Sequence, residues 1–224
     1  MNEHGVVAKV TATTVPFSTE CRACSRLAQH LAQLRIVHPD YHALPVAPFG
    51  EENPQLLIVG LAPGMHGANR TGRPFTGDYA GILLYETLHR YGYANRPEAL
   101  ARDDGLRLSG CLITNAVKCL PPENKPTPDE VKRCNVHLKA EVETLPQCVA
   151  ILALGVIAHQ AVLMALDLKR ADYPFAHGGK HALPGGLALF DSYHCSRYNT
   201  QTKRLTPQMF RDVFDSIAKH LKNR

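Results

Sequence analysis

The sequence predicts an α/β fold: a three-layer α/β/α sandwich with a four-stranded parallel sheet at its centre. The first observation is a set of four short, largely apolar segments, typical of strands buried on both faces. The second is that helical patterns separate these segments, which favours parallel pairing with right-handed crossovers. The predicted strands span residues 55–61, 111–118, 149–154 and 187–193.

Four helices are predicted around this sheet. One runs over about residues 21–36, and another starts near Asp78. The clearest begins at Thr127, followed by Pro128 in the first turn and by Glu130, which can complete a capping box. Its apolar stripe is Val131, Cys134, Leu138, Val142 and Leu145. The last helix opens with Thr206 and Pro207 and has the apolar stripe Phe210, Val213, Phe214, Ile217 and Leu221.

Composition limits the class of protein. The chain has 224 residues with a hydrophobic fraction of 45%, which suits a single globular domain over residues 1–224. The formal net charge of +5 permits a nucleic-acid partner without establishing one. We find no signal peptide, and the longest apolar run, residues 148–158, is too short to span a bilayer. We therefore expect a soluble, intracellular protein without a membrane partner.

Four of the seven cysteines form a candidate metal site. Cys21 and Cys24 are two residues apart at a predicted helix start, and Cys119 and Cys134 form a wider pair across a proline-rich segment. Four thiolates can hold either zinc or a [4Fe–4S] cluster. The alternative is a set of buried thiols, since Cys134 also lies on an apolar helical stripe. Two further cysteines, Cys111 and Cys148, fall inside strand patterns, and core packing is the better interpretation for both.

The glycine-rich loop after the first strand is the most unusual part of the sequence. Ligands of parallel α/β sheets bind beyond the carboxyl ends of the strands, where this loop lies. It lacks the motifs of a P-loop or a dinucleotide fingerprint. Phe75 can stack on a base or lie buried under the loop, and Asp78 can be an ordinary helix cap. Arg70 and Arg73 can contact phosphates or form a solvated loop surface.

Two motifs closely resemble those of the family 5, or B-type, uracil-DNA glycosylases. Residues 60–78, GLAPGMHGANRTGRPFTGD, resemble the first motif of that family, and residues 192–206, SYHCSRYNTQTKRLT, resemble the second. Asn115, in the segment ITNAVKC, matches a third landmark. The four cysteines match the cluster ligands of the family in both spacings. The resemblance extends over residues 21–206, nearly the whole chain.

The resemblance implies the uracil-DNA glycosylase fold and a structural [4Fe–4S] cluster in place of zinc. It implies an enzyme that flips uracil out of DNA and hydrolyses its bond to the sugar, which starts base excision repair. It also implies relaxed specificity, with hypoxanthine and other deaminated bases as further substrates. We expect a monomer that acts in the cytoplasm on the nucleoid, with DNA containing such bases as its partner.

The resemblance also implies roles for individual residues. His194 would donate a hydrogen bond to the base carbonyl, Asn115 would bind the base edge, and Asp78 would orient water or stabilise a cationic sugar. The positive end of its helix would favour the ionised form of Asp78. Phe75 would stack on the base. The backbone of the first motif would line the pocket at Gly60, Gly64, Met65 and His66. The residues expected to contact DNA are Arg70, Arg197, Asn199, Lys203 and Arg204.

Two positions depart from the family pattern. Cys195 stands where the family usually has a proline after the histidine, and Tyr198 stands where a glutamine is common. We expect the loss of the proline to soften the loop that inserts into DNA. Two other classes compete with a glycosylase. A non-catalytic metal-bearing nucleic-acid-binding module explains the cysteines but gives Asp78 and His194 no role. An electron-transfer or radical enzyme is disfavoured because the three-cysteine signature of radical enzymes is absent.

Overall fold

The computed structural model describes residues 17–223. In this part of the chain, helices cover both faces of a six-stranded mixed sheet. The strands are β1 (Phe49–Gly50), β2 (Leu56–Gly60), β3 (Cys111–Asn115), β4 (Ala150–Leu154), β5 (Lys180–Ala182) and β6 (Ala188–Ser192), in the spatial order β1-β3-β2-β4-β6-β5. The helices are α1 (Ser25–Val37), α2 (Ala68–Thr71), α3 (Tyr79–Arg90), α4 (Pro128–Glu143), α5 (Val156–Ala165), α6 (Arg197–Gln201) and α7 (Pro207–Lys222).

The predicted α/β class is confirmed, but the predicted number of strands is wrong. The four predicted segments form the inner strands β3, β2, β4 and β6, and these pair in parallel. Two short edge strands, β1 and β5, add to them in antiparallel fashion. β1 has two residues and β5 has three, and at least half of the residues in each strand are exposed. Strands this short show no apolar pattern.

Alternate residues of the inner strands build two separate cores. Ile58, Ile113, Leu152 and Phe190 point to one face, where they pack with side chains of α3 and α7. Leu57, Val59, Ile151 and Leu189 point to the other face, where α1, α4 and α5 cover them. Because both faces are covered, the inner strands are apolar throughout. The three-layer arrangement follows from these two cores.

The helix starts follow the capping residues in the sequence. Thr127 and Glu130 form the predicted capping box of α4, with Glu130 N–H donating to Thr127 Oγ1 at 3.3 Å and Thr127 N–H donating to Glu130 Oε2 at 2.8 Å. Thr206 caps α7 with its Oγ1, which accepts Met209 N–H at 3.2 Å, but without a capping box. The first helix begins at Ser25 instead of residue 21, so Cys21 and Cys24 precede it.

No helix in the described range is both long and apolar enough to cross a membrane.

Candidate active site

A pocket of about 450 Å³ opens beyond the carboxyl ends of the inner strands. Its wall includes six of the predicted site residues, which come from distant parts of the sequence: Gly64, Phe75, Asp78, Asn115, His194 and Arg197. The other lining residues are Leu61, Ala62, Ala68, Tyr79, Ala80, Asn124 and Ser196. Among them, Asn124 and Tyr79 were not predicted from sequence, because neither lies in a recognisable motif position.

The glycines of the first motif make room for the polar groups of the pocket. Gly60 pairs with Asn115 in register, and a Cβ at Gly60 would overlap Asn115 Oδ1 and lie 2.7 Å from Phe75 Cζ. A Cβ at Gly64 would be 3.4 Å from Asp78 Oδ2, and one at Gly67 would overlap that carboxylate. Gly60 therefore lies behind the pocket wall instead of lining it as predicted, and its lack of a side chain lets Asn115 and Phe75 form that wall.

Asp78 has two functions in the structure. It is the N-cap of α3, with Gly81 N–H donating to Oδ1 at 2.9 Å, and it also lines the pocket. The cap and the site residue are thus the same side chain. Burial raises the pKa of Asp78, and the N–H groups of Gly81 and Ala80 oppose this only in part. The N–H groups at the helix end favour the ionised form, as expected, but desolvation has the larger effect.

His194 lies between the first-motif loop and the start of α5. Its ring stacks on Phe75 with centroids 5.9 Å apart, and a Cβ at Gly155 would be 3.6 Å from His194 Cβ. Burial lowers the pKa of His194 to about 4. The ring is therefore neutral near pH 7 and can donate one hydrogen bond without carrying a charge.

Asn115 presents a buried amide oxygen without a partner. The residue is 3% exposed at the end of β3, and no donor among the described residues bonds its Oδ1. An unpaired buried acceptor costs roughly 1–3 kcal/mol. Because the side chain lines the pocket, a ligand N–H is the group that can satisfy this oxygen.

Met65 and His66 do not line the pocket, contrary to the prediction. Met65 packs against the small core of Leu31, Leu34 and Ala43. His66 is exposed, and its Nδ1 lies 2.8 Å from the Tyr41 hydroxyl. The chain turns into α2 after Gly64, which directs these two residues to the other side of the loop.

Arg73 is neither a phosphate ligand nor part of a solvated surface. The residue is 4% exposed, and its two terminal nitrogens donate to Asp104 Oδ1 and Oδ2 at 2.9 and 2.7 Å. Its Nε donates to Thr76 Oγ1 at 2.8 Å. Both interpretations of Arg73 from sequence are therefore wrong. The guanidinium fixes the loop from inside.

Four of the five predicted DNA-contacting residues are exposed cations: Arg70, Arg197, Lys203 and Arg204. Arg197 lines the pocket and lies over the ring of Tyr79 at 5.8 Å, and Arg204 lies 4.6 Å from the ring centre of Tyr193. The fifth, Asn199, is turned inward, because its Nδ2 donates to the His194 carbonyl at 2.8 Å. The amide of Asn199 supports the histidine loop, and the expectation of a phosphate contact is corrected.

Other contacts take over the constraint of the missing proline. Cys195 is fully buried among core residues, and Ser196 caps α6 with its Oγ accepting Asn199 N–H at 3.4 Å. Tyr198, one turn away, is 70% exposed. The loop is anchored on both sides of Cys195, and the expected softening stays a prediction.

The structure brings the four candidate metal ligands around one small cavity. Cys21 and Cys24 precede α1, Cys119 follows β3, and Cys134 lies in α4, and all four line the cavity. The backbone N–H of Lys118 donates to Cys134 Sγ at 3.2 Å. Next to them, Arg26 of α1 donates to both carboxylate oxygens of Glu130 in α4, at 2.8 and 2.7 Å. Cys111 is buried in the core under α3 and α7 as predicted, and Cys148 is half-buried against the core on the other face of the sheet.

Among the described residues, no three of these four sulfurs lie within 4.8 Å of one another. A tetrahedral zinc site with Zn–S bonds of about 2.3 Å places its sulfurs about 3.8 Å apart. Within the described residues, the group of three or more potential ligands that lie within 4.8 Å of one another is His159, His181 and Asp191, not the cysteines. Burial raises the pKa of Cys119 to about 12 and that of Cys134 to about 11, and the neighbouring thiols add to this for both. Such thiols ionise when a metal centre takes up the charge.

The fold is an α/β sandwich, and the pocket at the carboxyl edge of its sheet contains an amide, an imidazole and a carboxylate. These features define a ligand-binding α/β protein. Comparison with known proteins narrows this class. Residues 47–218 match the Uracil DNA glycosylase superfamily. The type-5 uracil-DNA glycosylase of Thermus thermophilus is 47% identical over 200 residues, which cover 87% of this chain and 91% of that protein.

Two further relatives agree with this match. The type-5 uracil-DNA glycosylase of Mycobacterium leprae is 43% identical over 207 residues, covering 89% and 90% of the two chains. The type-4 uracil-DNA glycosylase of Thermotoga maritima is 30% identical over 180 residues, covering 80% and 79%. The chain therefore belongs to the uracil DNA glycosylase superfamily, on its type-5 branch.

Proposed function

We propose that this protein is a uracil-DNA glycosylase, which flips uracil into the pocket and hydrolyses the bond between its nitrogen and the deoxyribose. The observation that carries the proposal is the unpaired Oδ1 of Asn115 in a pocket that also contains His194 and Asp78. Uracil presents an N3–H between two carbonyl oxygens, so its N–H can donate to Oδ1. Cytosine has a lone pair at the same ring position and would face the amide oxygen unfavourably.

His194 stabilises the departing base. As the glycosidic bond breaks, negative charge grows on the uracil carbonyls, and a donor placed there lowers the barrier. The burial that lowers the pKa of His194 to about 4 keeps the imidazole neutral, so the bond strengthens as the charge develops. The stack on Phe75 fixes the orientation of the ring.

Asp78 acts on the sugar side of the bond. Its Oδ1 is held by the N–H of Gly81, which leaves Oδ2 near Gly64 to orient a water molecule or to stabilise the cationic sugar. Both roles require the carboxylate form. The burial that raises the pKa of Asp78 makes it a stronger base than an exposed aspartate.

The exposed cations beside the pocket bind the DNA backbone. Arg197 is at the pocket wall, and Lys203 and Arg204 follow in the same segment. Contacts with phosphates position the duplex without selecting sequence, and they make binding dependent on salt. Tyr198 is exposed among these cations, in a position to contact the opened base stack.

The four cysteines hold a [4Fe–4S] cluster in this proposal. Their wide spacing and their location around one cavity fit such a group, and its thiolate bonds would link the segment before α1, the end of β3 and α4. The role of the cluster would be to connect these segments and not to act on the substrate, since the cluster cavity and the pocket have no lining residue in common.

The same pocket accommodates further deaminated bases. Hypoxanthine carries an N–H next to a carbonyl, the same donor and acceptor pair that Asn115 can bind in uracil. We propose that the enzyme acts as a monomer. We place the enzyme in the cytoplasm, where it acts on nucleoid DNA in base excision repair.

The test is base release from a duplex that carries a single uracil, followed by alkali and detection of strand breaks. We expect cleavage by the wild type and by Asn53→Ala, an exposed asparagine outside the pocket, and a loss of at least 100-fold for Asn115→Ala. A hypoxanthine duplex tests the wider specificity. DNA binding without any base release would support the non-catalytic module instead.

A further inference from the structure

A second group of buried polar side chains lies beside the strand that leads to His194. Asp191 on β6 is fully buried, His159 on α5 is 2% exposed, and the side chain of His181 on β5 is 15% exposed. None of the three lines the substrate pocket. No motif of the sequence singled them out, and the proposed reaction does not use them directly.

The hydrogen bonds of His159 determine its protonation state. Its Nδ1 lies 2.7 Å from Asp191 Oδ1, and its Nε2 lies 2.8 Å from the carbonyl oxygen of Tyr173. A carboxylate and a carbonyl both accept hydrogen bonds, so both ring nitrogens must carry a proton. A neutral ring would turn a nitrogen lone pair toward one of these oxygens. His159 is therefore an imidazolium paired with the Asp191 carboxylate.

The groups around this pair are consistent with a charged ring. His181 Nε2 lies 3.2 Å from Asp191 Oδ2, so β5 supplies a second donor to the same carboxylate. The ring of Phe175 packs edge-on against His159 at 5.6 Å. Burial acts to lower the pKa of His159, but the bond and charge of Asp191 and the Tyr173 carbonyl raise it more, and the net shift is upward.

The pair joins the two elements that flank His194. His159 N–H donates to the Gly155 carbonyl at 3.0 Å, and Gly155 N–H donates to the Ser192 carbonyl at 2.8 Å. Gly155 also lies next to His194, since a Cβ at Gly155 would be 3.6 Å from His194 Cβ. Asp191 directly precedes Ser192 on β6. The His159–Asp191 contact and the bond from Gly155 N–H to the Ser192 carbonyl therefore connect the start of α5 to two successive residues at the end of β6.

We propose that the His159–Asp191 ion pair is a positioning device, which holds the end of β6 against the start of α5 and thereby sets the place of His194. The inference rests on the proposed function, because His194 is its readout. Both residues are positioning residues, since neither touches the pocket. A metal ion is the alternative occupant of this group. The 2.7 Å contact favours a shared proton, because nitrogen and oxygen ligands of one tetrahedral zinc lie about 3.4 Å apart.

The protonation state can be measured without any activity. Long-range ¹H–¹⁵N spectra of the imidazoles in the wild type, assigned with His159→Gln, should show two protonated nitrogens for His159 at pH 7.5. A ring with one unprotonated nitrogen at that pH would overturn the inference. So would ring signals that shift on addition of Zn²⁺ with a stoichiometry of one, a response that His181→Gln abolishes.

Kinetics test the positioning role. We expect Asp191→Asn and His159→Gln to lower the single-turnover rate of uracil release by roughly 10- to 100-fold, because small displacements of a reacting group have effects of this size. Affinity for the uracil duplex should change by less than about threefold, and His89→Gln, an exposed control, should match the wild type. Rates are compared at a temperature where circular dichroism shows each variant folded. Variants that fold and react at the wild-type rate would refute the positioning role.

The wild type provides a second kinetic test if Asp191→Asn does not fold. Its rate should fall on the alkaline side as His159 loses its proton, and this fall should be absent from His159→Gln. A wild-type rate that stays constant through the pH at which NMR shows deprotonation of His159 would contradict the role. If the wild type releases no base from any duplex, the proposed function fails, whereas the imidazolium assignment is decided by the spectra alone.

Discussion

Asp78 occupies the space that a side chain at Gly67 would need. A Cβ at Gly67 would overlap the carboxylate, while Asp78 Oδ1 accepts the N–H of Gly81 at 2.9 Å. The cap of α3 thus holds Oδ1, and the missing side chain at Gly67 leaves room for Oδ2. The helix determines where Asp78 starts, and the loop determines which way its free oxygen faces.

This arrangement separates the cap from the chemistry of Asp78. Asp78→Asn keeps an oxygen that can accept from Gly81, so the helix should stay capped and the melting temperature should change by only a few degrees. The single-turnover rate should fall by about 100-fold or more, because the negative charge is lost. Thr206→Ala is the matched control. It removes the cap of α7, so it should lower the free energy of unfolding by about 1 kcal/mol and leave the single-turnover rate unchanged. Full activity of Asp78→Asn would remove the carboxylate from the mechanism.

The pH dependence follows from two buried groups with opposite shifts. His194 has a pKa lowered by burial to about 4, so it is neutral throughout pH 6–8 and should not change the rate there. The pKa of Asp78 is raised by burial, so the active carboxylate form is lost as the pH falls, at a pH above the ordinary value for aspartate. Single-turnover rates from pH 4 to 8 should be flat near neutrality and decline on the acid side. A rate that declines with rising pH, centred near pH 6.5, and that shows no such decline in His194→Gln, would show that the reaction needs the imidazolium instead.

Lys203 should act on DNA as a whole. It is exposed, and its expected contact is a phosphate, so Lys203→Ala should weaken binding to all duplexes alike. The slope of log affinity against log salt should flatten by about 0.9 for each lost contact. Lys219→Ala, which removes an exposed lysine from α7, should leave the slope as it is. An unchanged slope for Lys203→Ala would exclude the phosphate contact.

The cysteines separate into ligands and core residues. Cys119→Ser should abolish the iron content of the purified protein, which we expect at about four iron atoms per chain, together with the visible absorption near 400 nm. Cys148 lies outside the cavity, so Cys148→Ser should retain both the iron and the visible absorption. The variant without the cluster should also be less stable to heat, because the links between α1, β3 and α4 are lost. Stoichiometric zinc in place of iron would show that the wide spacing of the thiols was misjudged.

Local patterns were sufficient for the inner sheet and for most of the pocket. The inner strands are apolar throughout because both of their faces are covered. A run of five apolar residues is therefore enough to predict such a strand. Phe75, Asp78, Asn115 and His194 follow strand ends or belong to motifs, and strand ends of a parallel sheet meet at one edge. The edge strand β5 has three residues and no such pattern.

What sequence patterns could not predict is the direction of polar side chains with distant partners. Asn199 lies among cations in the sequence, yet its amide turns back to the His194 carbonyl. His159 and Asp191 pair across 32 positions, and neither position shows a pattern that announces the other. Such bonds depend on the packing of helices against the sheet, which no local window contains.

Arg73 gives the sharpest contrast between the two interpretations. If Arg73 bound a phosphate, its removal would weaken DNA binding. The structure instead pairs Arg73 with Asp104, 31 positions away in the sequence, and the two side chains are 4% and 11% exposed. Arg73→Met leaves the Asp104 carboxylate without its partner, and we expect a loss of about 3–5 kcal/mol in unfolding free energy. The salt slope of DNA binding should remain that of the wild type. The double variant Arg73→Met/Asp104→Leu should regain part of the stability, because no unpaired charge is left. Urea titration measures these differences. Wild-type stability of Arg73→Met together with a flatter salt slope would restore the phosphate contact.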